Sequence, residues 1–162
     1  MAKVCVFLAE GFEEVEGLTV VDLLRRAGEE VLMVSIGTSL EVTGSHGIKV
    51  SADRLFEEAD YSDADMLVLP GGMPGTLHLG EHKGLTELLI KFNEADKKVA
   101  AICAAPGVFG ANGILKGRKA TCYPGCEEKL KGAVLSEEAV VRDKNVTCLL
   151  YTSPSPRDGA TS

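Results

Sequence analysis

Short, almost wholly apolar runs recur along this chain and constrain its fold more than any other feature. They span Lys3 to Ala9, Asp65 to Pro70 and Lys98 to Ile102. Runs of this kind are typical of strands buried on both faces of a parallel sheet. Residues 13–27 and 84–94 instead carry apolar residues at helical spacing. The alternation predicts an α/β fold, a doubly wound, flavodoxin-like sandwich in which helices cover both faces of a mostly parallel sheet.

Weaker patterns complete the predicted element order. A strand is predicted at 31–36, and a short hairpin at 40–51, where Gly44 and Gly47 supply the turns. A helix is predicted at 104–111, directly after the third apolar run. Further short strands are predicted at 119–122, 133–135, 139–142 and 145–150.

Length and charge narrow the classes of function. The chain has 162 residues, enough for one domain with a buried core. Its 17 Lys and Arg against 24 Asp and Glu give a net charge of -7, which opposes binding to nucleic acid or to an anionic membrane. We expect a small soluble partner instead. Because no apolar run has membrane-spanning length and the start lacks a signal-peptide pattern, we expect a cytoplasmic protein.

The five cysteines, an odd number, lack the spacing of a disulfide framework. We therefore expect free thiols in a reducing compartment. Cys122 and Cys126 are close enough in sequence to suggest a metal clamp. The three histidines are not placed to complete it; they are His46, His78 and His82. No metal site is expected.

Cys103 is the sharpest chemical feature, because it stands between a predicted buried strand and a predicted helix. Small residues flank it and allow a tight elbow: Ala100, Ala101, Ala104 and Ala105. A thiol at a helix N-terminus has a lowered pKa and a larger thiolate fraction. The alternative is an inert buried cysteine, which is the commonest environment of a lone Cys.

Two further loops are expected at the same edge of the sheet, where the carboxyl ends of parallel strands meet. The Gly71-Gly72 pair allows backbone N–H groups to approach a ligand and hold a developing oxyanion, although such a pair is also an ordinary turn. Glu16 lies in the first turn of the first helix. A carboxyl group near a thiolate is driven toward its neutral form and can relay a proton, although an acidic residue there also complements the helix dipole.

Three segments match a known family. They read Leu8-Ala9-Glu10-Gly11-Phe12-Glu13-Glu14-Val15-Glu16, Val68-Leu69-Pro70-Gly71-Gly72 and Ala100-Ala101-Ile102-Cys103-Ala104-Ala105-Pro106. In this order they closely resemble the ThiJ/PfpI superfamily, particularly the branch named for the parkinsonism-associated protein. The resemblance extends over residues 2 to about 147.

The resemblance implies a flavodoxin-like homodimer with a nucleophilic Cys103, a protonated Glu16 and no cofactor. It also implies backbone N–H donors around Gly72 and Ala104, with Gly71 beside them in the pocket. The activities implied are a glyoxalase that converts glyoxal or methylglyoxal with water to the hydroxy acid, deglycation, chaperone action, and oxidative-stress sensing through cysteine sulfinate. Our leading hypothesis is a glyoxalase or deglycase that acts on small reactive carbonyls. The alternative is a redox-responsive stress or chaperone protein that is oxidised at Cys103.

Two departures from the family pattern bear on this hypothesis. Several members have a histidine close to the cysteine where this chain has Tyr123, so a Cys-His-acid triad loses its middle member. A peptidase is therefore less favoured, as is a thiazole-biosynthesis protein, and Tyr123 is a candidate pocket residue. The chain also departs from the family after residue 147. We expect a domain at 1–147 that is incomplete at its C-terminal end, and a non-native or disordered tail at 148–162, which leaves an inactive fragment as a third interpretation.

Overall fold

Strands and helices alternate along the computed structural model, which describes residues 1–150. The strands are β1 (Lys3–Leu8), β2 (Glu30–Ser35), β3 (Glu41–Thr43), β4 (Lys49–Ser51), β5 (Arg54–Leu55), β6 (Met66–Leu69), β7 (Lys98–Ile102), β8 (Lys119–Ala120), β9 (Val134–Leu135), β10 (Val140–Asp143) and β11 (Val146–Leu149). The helices are α1 (Glu14–Arg26), α2 (Gly75–Glu81), α3 (Lys83–Glu94) and α4 (Pro106–Ala111), and single 3-10 turns occur at Phe56–Glu58 and Glu127–Lys129.

The central sheet has seven strands in the order β10-β11-β7-β6-β1-β2-β5. All neighbouring pairs are parallel except β10 and β11, which pair in antiparallel register. The loops that follow β1, β6 and β7 therefore leave the same edge of the sheet, where ligands bind in open parallel sheets. The predicted flavodoxin-like fold is confirmed, and it brings three loops together that are far apart in sequence.

Side chains of β1 alternate between two hydrophobic clusters. Phe7 packs with Leu89 of α3 and Phe109 of α4 on one face of the sheet. Leu8 packs with Val21 of α1 on the other face. Because successive residues of a strand point to opposite faces, one apolar run supports both layers. The helices cover both faces for this reason.

The structure differs from the predicted elements at a few places. Helix α2 was not predicted, because its segment follows a glycine- and proline-rich loop and contains few apolar residues. Strand β5 was not predicted either, because its two residues are too few to show an alternation of apolar and polar side chains. Helix α4 begins at Pro106 rather than at residue 104, because residues 103–105 form a turn first. The predicted hairpin at 40–51 is confirmed as the antiparallel pair β3 and β4.

The last described strand includes Cys148 and Leu149, which pair with Ala101 and Ile102 of β7. These two positions of the predicted 148–162 tail thus belong to the sheet. Positions 151–162 of that predicted tail lie outside the described residues. Within residues 1–150, none of the helices combines the length and the apolar character needed to cross a membrane.

Candidate active site

Cys103 is the first residue after β7, and it lies at the carboxyl edge of the sheet. Its φ is +54°, a left-handed conformation that is uncommon for a residue with a β-carbon. Two backbone hydrogen bonds hold this conformation. The Cys103 N–H donates to the carbonyl of Leu149 at 2.8 Å, and the Tyr123 N–H donates to the carbonyl of Cys103 at 2.7 Å. Segments distant in sequence therefore fix the elbow from both sides.

The chain after Cys103 turns before it becomes helical. Ala104 and Ala105 belong to this turn, and Pro106 is the first residue of α4, where its missing N–H leaves no helical hydrogen bond unmade. Because α4 has six residues and begins three residues after the thiol, its dipole acts on Cys103 less directly than the sequence predicted. Ala104 follows the thiol directly, and its role as an oxyanion donor remains a prediction.

Glu16 reaches the elbow from the first turn of α1. The side chain is buried, with 7% of the residue exposed. One carboxylate oxygen, Oε1, accepts a hydrogen bond from the Gly71 N–H at 2.9 Å, and the carboxyl group also shares a hydrogen bond with the Cys103 side chain. Burial raises the pKa of Glu16 above its ordinary value, while these two hydrogen bonds oppose the rise and the charge of Glu13 adds to it. The structure thus brings together Cys103 and Glu16, and the pKa of the carboxyl group beside the sulfur is raised, mainly by burial.

Gly71 and Gly72 follow β6 and fill the space between α1 and the elbow. A β-carbon on Gly71 would lie 2.4 Å from Glu16 Oε1 and 3.1 Å from the Cys103 β-carbon. Gly72 has a φ of +97°, and a β-carbon there would lie 2.4 Å from the Glu13 nitrogen. Gly71 also accepts a hydrogen bond from the Glu13 N–H at 2.9 Å through its carbonyl. The role of Gly72 as an oxyanion donor stays a prediction, and both glycines are required for this close packing.

Tyr123 lies next to the elbow through its backbone, while 56% of the residue is exposed. A cavity of about 460 Å³ borders this segment and includes Thr121, Cys122 and Pro124 in its lining. Cys103 is not part of that lining. Tyr123 is not part of that lining either, so its place in a pocket beside Cys103 remains a prediction.

A model of the DJ-1/PfpI family matches residues 2–161 of this sequence. The chain belongs to the DJ-1/PfpI family. The elbow, the glycine pair and Glu16 therefore occupy a fold that this family shares.

Individual relatives agree with the family assignment. DJ-1 homolog A of Arabidopsis thaliana is 41% identical over 145 residues, which cover 89% of this chain but only 37% of the longer plant protein. A protein named deglycase from Pyrococcus abyssi is 36% identical over 132 residues, covering 81% of this chain and 78% of its own length. Among solved structures, oxidized DJ-1 of Toxoplasma gondii superposes with a TM-score of 0.89 at 33% identity, covering 93% of this chain and 83% of that one.

A second polar cluster of this DJ-1/PfpI chain lies beside the site and was not predicted from the sequence. Glu14, the first residue of α1, is buried and reaches the turn of the β3–β4 hairpin. Its carboxylate accepts hydrogen bonds from the backbone N–H groups of His46 at 2.9 Å and Ile48 at 3.2 Å, and it pairs with His46 Nδ1 at 2.9 Å. Gly44 makes room for it, because a β-carbon there would lie 2.3 Å from the Glu14 carboxyl carbon. Only the packing of the hairpin on α1 reveals this partnership.

The electrostatics of the cluster favour an ion pair. Burial alone raises the pKa of Glu14, but the hydrogen bonds from the His46 side chain and from backbone N–H groups lower it to about 2. The hydrogen bond to Glu14 in turn raises the pKa of His46. Glu13, Glu14 and His46 are the group within residues 1–150 whose donor atoms lie close enough to hold one metal ion. Because hairpin N–H groups already occupy the Glu14 oxygens, we assign no metal ligands here.

The Glu14→Gln variant is expected to lose about 2–3 kcal/mol of unfolding free energy at pH 7, because an amide NH₂ would face backbone N–H donors in a buried site. The folded pKa of Glu14 is depressed, so its stabilisation is present above the unfolded value of 4.5 and is lost as the pH falls toward about 2. Urea denaturation at pH 7 and pH 3 measures both effects. Glu87→Gln, on the exposed side of α3, is the matched control, and an equal loss in that variant would contradict the assignment.

The other candidate groups of this family member have partners or environments of their own. His82 Nδ1 accepts a hydrogen bond from the Leu85 N–H at 2.9 Å and caps α3, so it is occupied away from the elbow. Burial raises the pKa to about 11 for each of three cysteines: Cys5, Cys122 and Cys148. These thiols stay protonated at neutral pH and are poor nucleophiles.

Proposed function

We propose that this chain is a cysteine-dependent, cofactor-independent enzyme of the glyoxalase or deglycase type, acting on reactive carbonyls such as methylglyoxal. The observation that carries the proposal is the hydrogen bond between Cys103, at a left-handed elbow, and Glu16, a buried carboxyl group with a raised pKa. The deglycase name of the Pyrococcus abyssi relative supports this class of reaction. A thiol and a proton carrier in contact are the two groups that the chemistry requires.

The first step forms a carbon–sulfur bond. The Cys103 thiolate adds to the aldehyde carbon of methylglyoxal, and the carbonyl electron pair moves to the oxygen. That oxygen takes the proton of the Glu16 carboxyl group, which leaves a hemithioacetal and a carboxylate. The Gly72 and Ala104 N–H groups are the proposed donors to the developing oxyanion.

The second step moves hydrogen within the substrate. The Glu16 carboxylate removes the proton from the carbon that bears sulfur and delivers it to the neighbouring carbon, while the hydroxyl proton passes to the neighbouring oxygen. The product is a thioester of lactate, so one carbon is oxidised and the other is reduced. Water then cleaves the thioester to release lactate and the Cys103 thiol. The sum is methylglyoxal plus water to lactate, and no external oxidant or cofactor is consumed.

The Glu16→Gln variant tests this mechanism. Glutamine keeps a carbonyl to accept the Gly71 N–H and an NH₂ group to face the sulfur, but it cannot carry a proton. We expect kcat/KM for methylglyoxal to fall roughly 100- to 10,000-fold, the range for loss of a general acid–base group. Lactate formation is the readout, and Glu87→Gln on α3 is the control. Turnover in Glu16→Gln equal to the wild-type value would contradict the proposal.

A second candidate function is a redox-responsive stress or chaperone protein. In it Cys103 reacts with two molecules of peroxide to give a sulfinate and two molecules of water. The hydrogen bond between the Cys103 side chain and the Glu16 carboxyl group, whose pKa is raised by burial, favours this candidate, because a protonated carboxyl group can donate a hydrogen bond to a sulfinate oxygen. The Toxoplasma gondii neighbour is an oxidized form of DJ-1. Selective oxidation of Cys103 with negligible aldehyde turnover would favour this function over the first.

The proposed setting is a cytoplasmic homodimer. The family resemblance supports the dimer, and five free cysteines suit a reducing compartment. A peptidase remains less favoured, because the family resemblance predicts a histidine at the position of Tyr123, and His82 caps a helix.

A further inference from the structure

His46 lies at the end of a chain of polar contacts that leads to Glu16. Its Nδ1 is 2.9 Å from Glu14 Oε1 and 3.5 Å from Glu13 Oε1. The His46 side chain is 66% exposed, so it exchanges protons with solvent, whereas the Glu14 side chain is almost fully buried. One imidazole therefore faces two carboxylates, one of them held inside the protein.

Glu13 connects this imidazole to the candidate active site. Its second oxygen, Oε2, accepts a hydrogen bond from the Glu16 N–H at 2.9 Å and caps α1. Its own N–H donates to the Gly71 carbonyl at 2.9 Å, and the Gly71 N–H donates to Glu16 Oε1 at 2.9 Å. A charge on Glu13 consequently lies one hydrogen bond from the backbone of Glu16.

We propose that His46 is a positioning residue that sets the charge felt by Glu16. In its protonated form it offsets the Glu13 carboxylate, and in its neutral form it leaves that carboxylate unopposed, which holds the proton on Glu16. It acts through Glu13 and does not touch the substrate. This role rests on the proposed function of the Cys103 and Glu16 pair.

The groups around His46 allow its imidazole to change the local charge by one unit. Glu13 and Glu14 face the imidazole from the start of α1, and the Ser45 hydroxyl lies 3.2 Å from Nδ1 on its own hairpin. The other charged pair of the hairpin, Lys49 with Glu41, is 3.7 Å apart and self-compensating.

Glu14 stays ionised across the neutral range, since its pKa is lowered to about 2. Of these two partners, the imidazole of His46, whose pKa is raised by Glu14, is the one that changes charge as the pH rises.

The sign of the coupling follows from these contacts. The charge of Glu13 raises the pKa of Glu16. A cation at position 46 opposes that effect, and a neutral side chain leaves it in full. Because the pKa of His46 is raised above 6.5 by Glu14, the wild type carries the cation below that raised value and loses it above. Glu16 is thus expected to have a higher proton affinity when His46 is neutral than when His46 is protonated.

The test compares a permanently neutral and a permanently cationic side chain, His46→Gln and His46→Arg. Both keep the His46 backbone N–H that binds Glu14, and the side chain is mostly exposed, so both are expected to fold. Carboxyl ¹³C NMR, with the Glu16 resonance assigned by its loss in Glu16→Gln, gives the pH midpoint of Glu16 in each. We expect the midpoint to be higher in His46→Gln than in His46→Arg by roughly half a pH unit, as for a charge acting at partial solvent exposure.

A matched pair at another histidine separates this effect from a general change in net charge. His78→Gln and His78→Arg, on the exposed side of α2, are expected to give coinciding Glu16 midpoints. Coinciding midpoints in the two His46 variants, or an equal separation in the two His78 variants, would overturn the inference.

The NMR readout does not depend on aldehyde turnover. Separated His46 midpoints with no turnover in the wild type would support this inference while the proposed function failed. Turnover in the wild type with coinciding Glu16 midpoints in the two His46 variants would support the proposed function while this inference failed.

Discussion

The Cys103→Ser variant is expected to lose methylglyoxal turnover by at least roughly a thousandfold, because a hydroxyl at this position is not ionised at neutral pH and the thiolate is the attacking group. The substitution exchanges one atom for a slightly smaller one at an elbow held by two backbone hydrogen bonds, one donated by Cys103 to the Leu149 carbonyl and one accepted from the Tyr123 N–H. The folded structure should therefore be retained. Lactate formation measures the loss, and circular dichroism confirms the fold.

Cys126→Ser is the matched control for this loss. Cys126 is partly exposed, and the structure places it outside the contacts of Glu16. Its replacement should leave turnover within about a factor of two, as for a surface substitution of under 0.5 kcal/mol. Turnover by Cys103→Ser at the wild-type rate, or an equal loss in Cys126→Ser, would remove Cys103 from the mechanism.

The Gly71→Ala variant is expected to lose about 1–3 kcal/mol of stability and roughly 100-fold in turnover, since one methyl group would displace both reacting side chains. Its β-carbon would lie 2.4 Å from Glu16 Oε1 and 2.8 Å from the Ile102 carbonyl oxygen. The backbone at Gly71 does not have a positive φ, so the effect is steric rather than conformational. Urea denaturation measures the loss of stability, and lactate formation measures the loss of turnover.

Gly37→Ala provides the comparison for Gly71→Ala. Gly37 also follows a strand at the carboxyl edge of the sheet, and the nearest atom to its β-carbon would be Ser35 Oγ at an ordinary 3.7 Å. This variant should fold and turn over like the wild type. If Gly71→Ala behaved in the same way, the close packing of Glu16 against the elbow would not be required for activity.

Local sequence patterns were sufficient for the long strands and for helices α1 and α3, but not for α2 or β5. Strand β7 was predicted at its observed bounds, because a buried apolar run is delimited by Lys98 at its start and by the elbow at its end. Helix α1 was predicted within a residue or two, since acidic residues begin it and Arg25 and Arg26 end it. Because the carboxyl ends of parallel strands meet at one edge of the sheet, the sequence alone predicted that Glu16, Gly71 and Cys103 lie close together.

Features that depend on packing between distant segments could not be predicted in this way. The turn that delays α4 depends on the bonds of Cys103 to Leu149 and Tyr123, which no local pattern shows. The pairing of Glu14 with His46 requires the hairpin to fold onto α1 across 32 residues of sequence. From sequence alone, Glu14 was indistinguishable from an acidic residue that complements a helix dipole.

Peptide-resolved alkylation of the wild-type chain tests the central claim most directly. Iodoacetamide is applied across a pH series, and mass spectrometry follows the five cysteines separately. Cys5, Cys122 and Cys148 have pKa values raised to about 11 by burial, so they should react slowly below that pH. An ordinary thiol ionises at about pH 8.5, and we predict that Cys103 alone is alkylated well below that pH. Equal alkylation of all five thiols would contradict the assignment of a reactive thiolate to this elbow. So would a Cys103 that is alkylated only at the pH at which the other cysteines react.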